Sequence, residues 1–131
     1  MRKAIFLLSA LLLALPAHAA DKVDCKNAQT QMDMDFCAGR DFTAADAQLN
    51  ALYKKLVALL DAHERVSLVK AQRAWLAWRD AECDYRTISS EGGSIRPMLI
   101  GECDTELTAN RIKDIKDQLK CSAGDLSCPA N

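Results

Sequence analysis

The sequence predicts an all-α protein, a small antiparallel three-helix bundle stapled by disulfides. Three observations carry this. Apolar residues recur at steps of three and four over most of the chain, no stretch alternates with a period of two, and six cysteines follow an apolar leader. No internal repeat is present, and 131 residues suit one small domain.

The leader sets the compartment. Arg2 and Lys3 precede an apolar run from Ile5 to Leu15, then Pro16 and Ala17-His18-Ala19-Ala20. A basic start, an apolar stretch and an A-x-A site make a secretory signal peptide over residues 1–19. The run is too short for a bilayer span, which needs about 20 residues. No cysteine follows the cleavage site directly, so no lipobox is present and a periplasmic or secreted chain is expected, without stable membrane insertion. Cleavage would remove Arg2 and Lys3 and take the formal net charge from −1 to −3. An acidic balance argues against nucleic acid, which calls for a basic face.

The first helix begins near Thr30, where Thr30-Gln31-Met32-Asp33 resembles a capping box. Met32, Phe36, Phe42, Ala45, Leu49, Leu52, Leu56 and Leu59 form its apolar face, with a gap at Gly39. Glycine costs roughly 1 kcal/mol inside a helix, so Gly39 marks either a bend or a break into two helices. Asp61-Ala62-His63 reads as a turn. A second helix runs from about Glu64 to Arg86. It has one stripe of Leu68, Ala71, Trp75, Trp78 and Glu82 and another of Val69, Gln72, Leu76 and Cys83. Two neighbouring stripes suit the middle helix of a bundle. The run Ile88 to Ser94 is a loop. Ser94 and Pro97 suit the start of a third helix carrying Ile100, Cys103, Leu107, Ile112, Ile115 and Leu119, with a stutter after Leu107. The helical domain thus spans residues 20–119, followed by a Gly/Ser/Pro tail over 120–131.

Cys25, Cys37, Cys83, Cys103, Cys121 and Cys128 are an even set in an exported chain, which reads as disulfides. No C-x-x-C pair exists, and His63 is the only histidine after the leader, so neither a metal site nor a c-type haem is expected. No cofactor is implied. Antiparallel helices bring Cys37, Cys83 and Cys103 to one pole. Cys83–Cys103 would close the Gly-Gly loop. Cys25–Cys37 follows if the N-terminal segment folds back along the first helix; otherwise one of them pairs with the second or third helix. Cys121–Cys128 remains as a tail loop.

The densest stretch is AQRAWLAWRDAEC, residues 71–83. Read functionally, Arg79, Asp80 and Glu82 form a binding cluster. Read structurally, Trp75 and Trp78 pack the core, and Arg73, Arg79, Asp80 and Glu82 are partners for charges on the first and third helices, such as Asp46, Glu106 and Arg111. The structural reading is preferred, because aromatics at helical spacing usually face a core. Enzyme chemistry has little support. Oxidised cysteines supply no thiolate, and Asp80/Glu82 and Glu102/Asp104 stand two apart on a helix, where side chains do not face each other. The segment Arg86 to Arg96, closed at its base by a disulfide, is the candidate recognition loop.

The chain resembles the lysozyme inhibitor LprI-like N-terminal domain family of bacterial envelope proteins. Asp24-Cys25, Thr30-Gln31, Phe36-Cys37-Ala38, Ala45 to Asn50 with Tyr53 and Leu56, and above all AQRAWLAWRDAEC carry the resemblance. Gly92-Gly93-Ser94, Pro97-Met98, Cys103 and Leu107-Thr108 with Arg111 complete it, so that it covers Asp24 to Leu119. It implies a helical, disulfide-containing, non-enzymatic protein that occludes the cleft of a c-type lysozyme. Such lysozymes are cationic and work with two cleft carboxylates. On that reading Glu91 meets the basic rim and Ser94 or Arg96 enters the cleft. A periplasmic interaction or envelope-stress module with another envelope protein as partner is the alternative. The chain departs from the family in lacking a lipobox and in carrying the extra pair Cys121 and Cys128.

Overall fold

A computed structural model describes residues 23–121 together with Asp125 and Cys128. The expected signal peptide and most of the tail lie outside the described residues. The elements are α1 (Gln31–Leu59), α2 (Ala62–Arg86), a short 3₁₀ turn (Ile88–Ser90) and α3 (Arg96–Leu119). Among the described residues there is no strand. The all-α disulfide-stapled bundle expected from the sequence is the fold observed.

Each helix starts where its local chemistry allows. Thr30 caps α1, its hydroxyl accepting from the Asp33 amide at 3.1 Å. Between α1 and α2 the chain turns on Leu60 and Asp61 alone. Asp61 closes a reciprocal capping box: its carboxylate accepts from the Glu64 amide at 2.8 Å, and its own amide donates to the Glu64 carboxylate at 2.9 Å. That box moves the start of α2 to Ala62 and takes Ala62 and His63 out of the expected turn. Helix α3 opens on Arg96 with Pro97 in its first turn, after an Ile95 cap without a side-chain hydrogen bond.

Gly39 neither breaks nor divides α1, which runs unbroken for 29 residues. Thr43 caps the local carbonyl, its hydroxyl donating to the Gly39 oxygen at 2.8 Å. A Cβ at Gly39 would meet nothing within 4 Å. Gly39→Ala is therefore expected to stabilise the fold by about 0.5–1 kcal/mol, measured as a shift in the urea midpoint. A loss of stability instead would show that Gly39 has a packing role.

The closest approach is between α1 and α3, which run in the same direction. Near their starts, a methyl on Gly101 would stand 3.1 Å from both the carbonyl carbon and the Cβ of Ala38. Further along, Leu49, Leu56 and Leu60 pack with Ile112 and Ile115 in the main apolar cluster, with Leu52, Tyr53, Leu68, Trp75 and Leu119 against it. Thr108, fully buried, fills the stutter on α3. Helix α3 is thus the central element. Helix α2, which the sequence suggested for that place, lies further out and meets the others through long side chains.

This arrangement changes the faces of α1 and α2. Met32, Phe36 and Leu59 are exposed, because the small pair Ala38 and Gly101 sets which face of α1 meets α3. On α2, Gln72, Arg79 and Cys83 are the buried residues, Trp75 is half-buried, and Trp78 is 49% exposed. Trp78 does not fill the core as expected, whereas Arg79 enters it and ties the helices together. The wide separation of α2 leaves a gap that a guanidinium on a long stem reaches across.

Candidate partner-binding site

Arg79 is the joint of the three helices. Its side chain is only 9% exposed, and its guanidinium lies over the rings of Phe42 on α1 and Trp75 on α2, at 4.9 and 5.4 Å. Asp80 accepts from Nε at 2.9 Å and from Nη2 at 2.7 Å. Asp46 of α1 and Asp104 of α3 stand at 3.8 and 3.6 Å, and Thr108 accepts from Nη1 at 3.4 Å. A parallel bridge joins α2 to α3 below it. There Arg111 donates to the Gln72 side chain at 3.0 Å and lies 5.8 Å from the Trp75 ring. Asp46 is thus tied to α2 as the sequence suggested, whereas Arg111 meets Gln72 rather than a carboxylate, and Glu82 pairs with Arg86 on its own helix. Glu106 of α3 meets Arg86 at 3.6 Å rather than Arg79.

Three carboxylates around one guanidinium leave an excess of negative charge, and Asp104 carries the strain. Its side chain is 13% exposed, and its Oδ1 accepts no hydrogen bond. Burial pushes its carboxyl above the usual range; Arg79 opposes this, and Asp80 adds to it. Asp80 occupies the near N–H groups, so Arg79 stays beyond hydrogen-bond distance of Asp104. A folded pKa above the unfolded one means that the folded state holds the proton more readily. Asp104 therefore lowers stability at neutral pH, and the loss fades as pH falls through the folded value toward the unfolded one. Asp104→Asn is expected to raise the urea midpoint at pH 7 and to leave it unchanged in acid, where both states are protonated. A lower midpoint at pH 7 would mean that attraction to Arg79 outweighs burial.

The loop after α2 is fixed from several sides. Cys83–Cys103 joins α2 to α3 with Cα atoms 5.7 Å apart. Thr87 is buried, its hydroxyl donating to the Cys83 carbonyl at 2.8 Å. The amides of Ser90, Glu91, Gly93 and Arg96 donate in turn to Thr87, Ile88, Ser90 and Gly93 carbonyls. Gly92 has φ of 75°, a left-handed turn that glycine takes without a side-chain clash. Arg96 is ion-paired to Asp84, across from α3 to α2. Of the three loop residues, Glu91 and Ser94 are both exposed, while Arg96 is half-buried and occupied in that pair.

At the same pole lies a cleft of about 470 Å³ between the N-terminal segment, α1 and α3. Cys25–Cys37 forms one wall, with Cα atoms 5.5 Å apart. Met34 and Met98 give it apolar sides, and Asp41, Glu102 and Glu106 bring three carboxylates to it. Glu102 and Glu106 share a helix face by their i, i+4 spacing, a signal legible in the sequence. That Asp41 joins them depends on the packing of α1 on α3. Cys121–Cys128 is the third disulfide and lies away from this pole, after the end of α3. No group of side chains able to hold a metal ion occurs among the described residues. No helix among them is long and apolar enough to cross a membrane.

Fold and site together define a disulfide-stapled three-helix protein whose exposed pole is stiff and acidic. The family model described as lysozyme inhibitor LprI matches residues 24–115, and the chain belongs to that family. It is also similar to an uncharacterised protein of Rhizobium meliloti, 38% identical over 135 residues that cover 92% of this chain and 97% of the relative. No solved structure matches it.

Proposed function

We propose that the protein is an exported, non-enzymatic inhibitor of lysozyme that binds at this pole and covers the enzyme's cleft. The observation that carries the reading is the rigid loop with Glu91 and Ser94 at the same pole as a cleft that joins methionines to Asp41, Glu102 and Glu106. A basic side chain of a cationic partner fits such a cleft. Its stem lies on Met34 and Met98, and its head meets Glu102, beside Asp41 and Glu106, whose pairs with the exposed Arg40 and Arg86 it would share. Glu91 adds charge at the rim, and Ser94 offers a hydroxyl to the enzyme's carboxylates. Arg96 acts by holding the loop through Asp84; to enter a lysozyme cleft it would first have to release that partner. The stapled loop loses little freedom on binding, which favours affinity. The family's printed description supports lysozyme as the partner. Two disulfides around the site, and a leader with signal-peptide pattern, support a periplasmic or secreted location.

The test is lysis of bacterial cell walls by a c-type lysozyme with the oxidised protein titrated in. Inhibition that weakens with Glu102→Lys or Ser94→Ala, and with rising salt, is the expected result. Absence of inhibition at large molar excess would assign the pole to a different envelope partner.

A further inference from the structure

The outward face of α2 packs against no other helix. From Val66 to Tyr85 it presents Val66, Ala74, Ala77, Trp78, Ala81 and Tyr85, all exposed. Tyr85 is 73% exposed, and Trp78 stands two turns before it. Aromatic residues left exposed beside a row of alanines, with the charges gathered toward the two ends, mark an interface rather than a solvated face.

The charges beside this stripe are sorted along the helix. Toward its N-terminal end lies a recess of about 430 Å³ lined by Arg65, Val66, Val69, Lys70 and Arg73. Toward its C-terminal end lies one of about 460 Å³ lined by Asp80, Ala81, Asp84, Ile100 and Asp104. The two recesses are similar in size and lie on the two sides of Ala77; the basic one is on α2 alone, and the acidic one lies between α2 and α3, where Asp80 and Asp84 keep their pairs with Arg79 and Arg96 but remain mostly exposed. A surface of this kind is complementary to itself turned end for end.

We propose that this face binds a second copy of the chain, as a two-fold dimer with the two α2 helices antiparallel and crossing at Ala77. With the axis there, Lys70 comes opposite Asp84, Val66 opposite Ile88, and Arg73 opposite Ala81 beside Asp80. Each copy gives its basic recess to the other's acidic one, so every favourable pair occurs twice, as an isologous interface requires. The alanines let the helix backbones approach, and Trp78 and Tyr85 lie along the flanks of the partner helix. Of the loop only Ile88 is engaged, and Glu91 and Ser94 remain uncovered.

Sedimentation velocity of the full oxidised protein over a concentration series tests this. The expected result is a concentration-dependent rise toward twice the monomer mass, weakened by salt. Ala77→Glu should hold the chain at monomer mass with its helical circular dichroism and thermal midpoint unchanged, and Lys70→Glu should weaken self-association at least tenfold. Ala58→Glu, on the exposed side of α1, should leave the dimer intact. A monomer at every soluble concentration would overturn the proposal. So would a dimer indifferent to Ala77→Glu, which would place the contact elsewhere.

Discussion

Arg79→Ala is expected to destabilise the fold by about 3–5 kcal/mol, the range for breaking a buried ion pair from one side. The side chain meets α1, α2 and α3 at once, and its removal leaves Asp104 buried with no cation nearby. Asp80 and Asp46 return to water and add less, since both are substantially exposed. The lost stem and the lost contacts with Phe42 and Trp75 add a packing cost. Arg79→Lys should recover only part of the loss, because a point charge cannot serve the two N–H contacts to Asp80 and lie flat on two rings. Urea denaturation of Arg79→Ala, Asp104→Asn and the double variant gives the coupling. The double variant should be more stable than Arg79→Ala alone. A cost below about 1 kcal/mol for Arg79→Ala would show that packing, not the guanidinium, joins the helices.

Loss of the Cys83–Cys103 bridge is the second large effect. The bridge spans 20 residues of sequence, and a loop of that size constrains the unfolded chain by about 3 kcal/mol. Cys83 and Cys103 are also buried together with Leu107, so the double alanine variant loses contacts as well as the link. The thermal midpoint of Cys83→Ala/Cys103→Ala should fall accordingly. If the loop is the recognition element, inhibition of lysozyme should weaken more than the remaining folded fraction explains. A variant that keeps full inhibition while losing stability would separate the staple from the site.

The helices were legible because their signals are local. A period of three and four, Thr30 as a cap, Pro97 in a first turn and the glycines of the loop each act within a few residues. The pairing of Cys83 with Cys103 followed from the order of helices alone. The same kind of signal misplaced the end of the first turn, because Asp61 with Glu64 is a capping box and not part of a loop. It also gave Gly39 more weight than an exposed helical position warrants, where its cost is small beside the packing of a long helix.

What the sequence by itself determined is the class: helices in this order, cysteines enough for three bridges, and a loop held between two of them. What only the tertiary structure decided is which face of each helix is inside. Periodicity makes Trp78 and Arg79 equal candidates, one step of about 100° apart. The contact of Ala38 with Gly101 draws α1 against α3 and leaves α2 at a distance. At that distance a long guanidinium, with carboxylates on all three helices to meet it, fills the gap better than an indole does. The same displacement exposes Trp78 and brings Asp41 to Glu102 and Glu106, two outcomes set by how helices pack and written in no single stretch of residues.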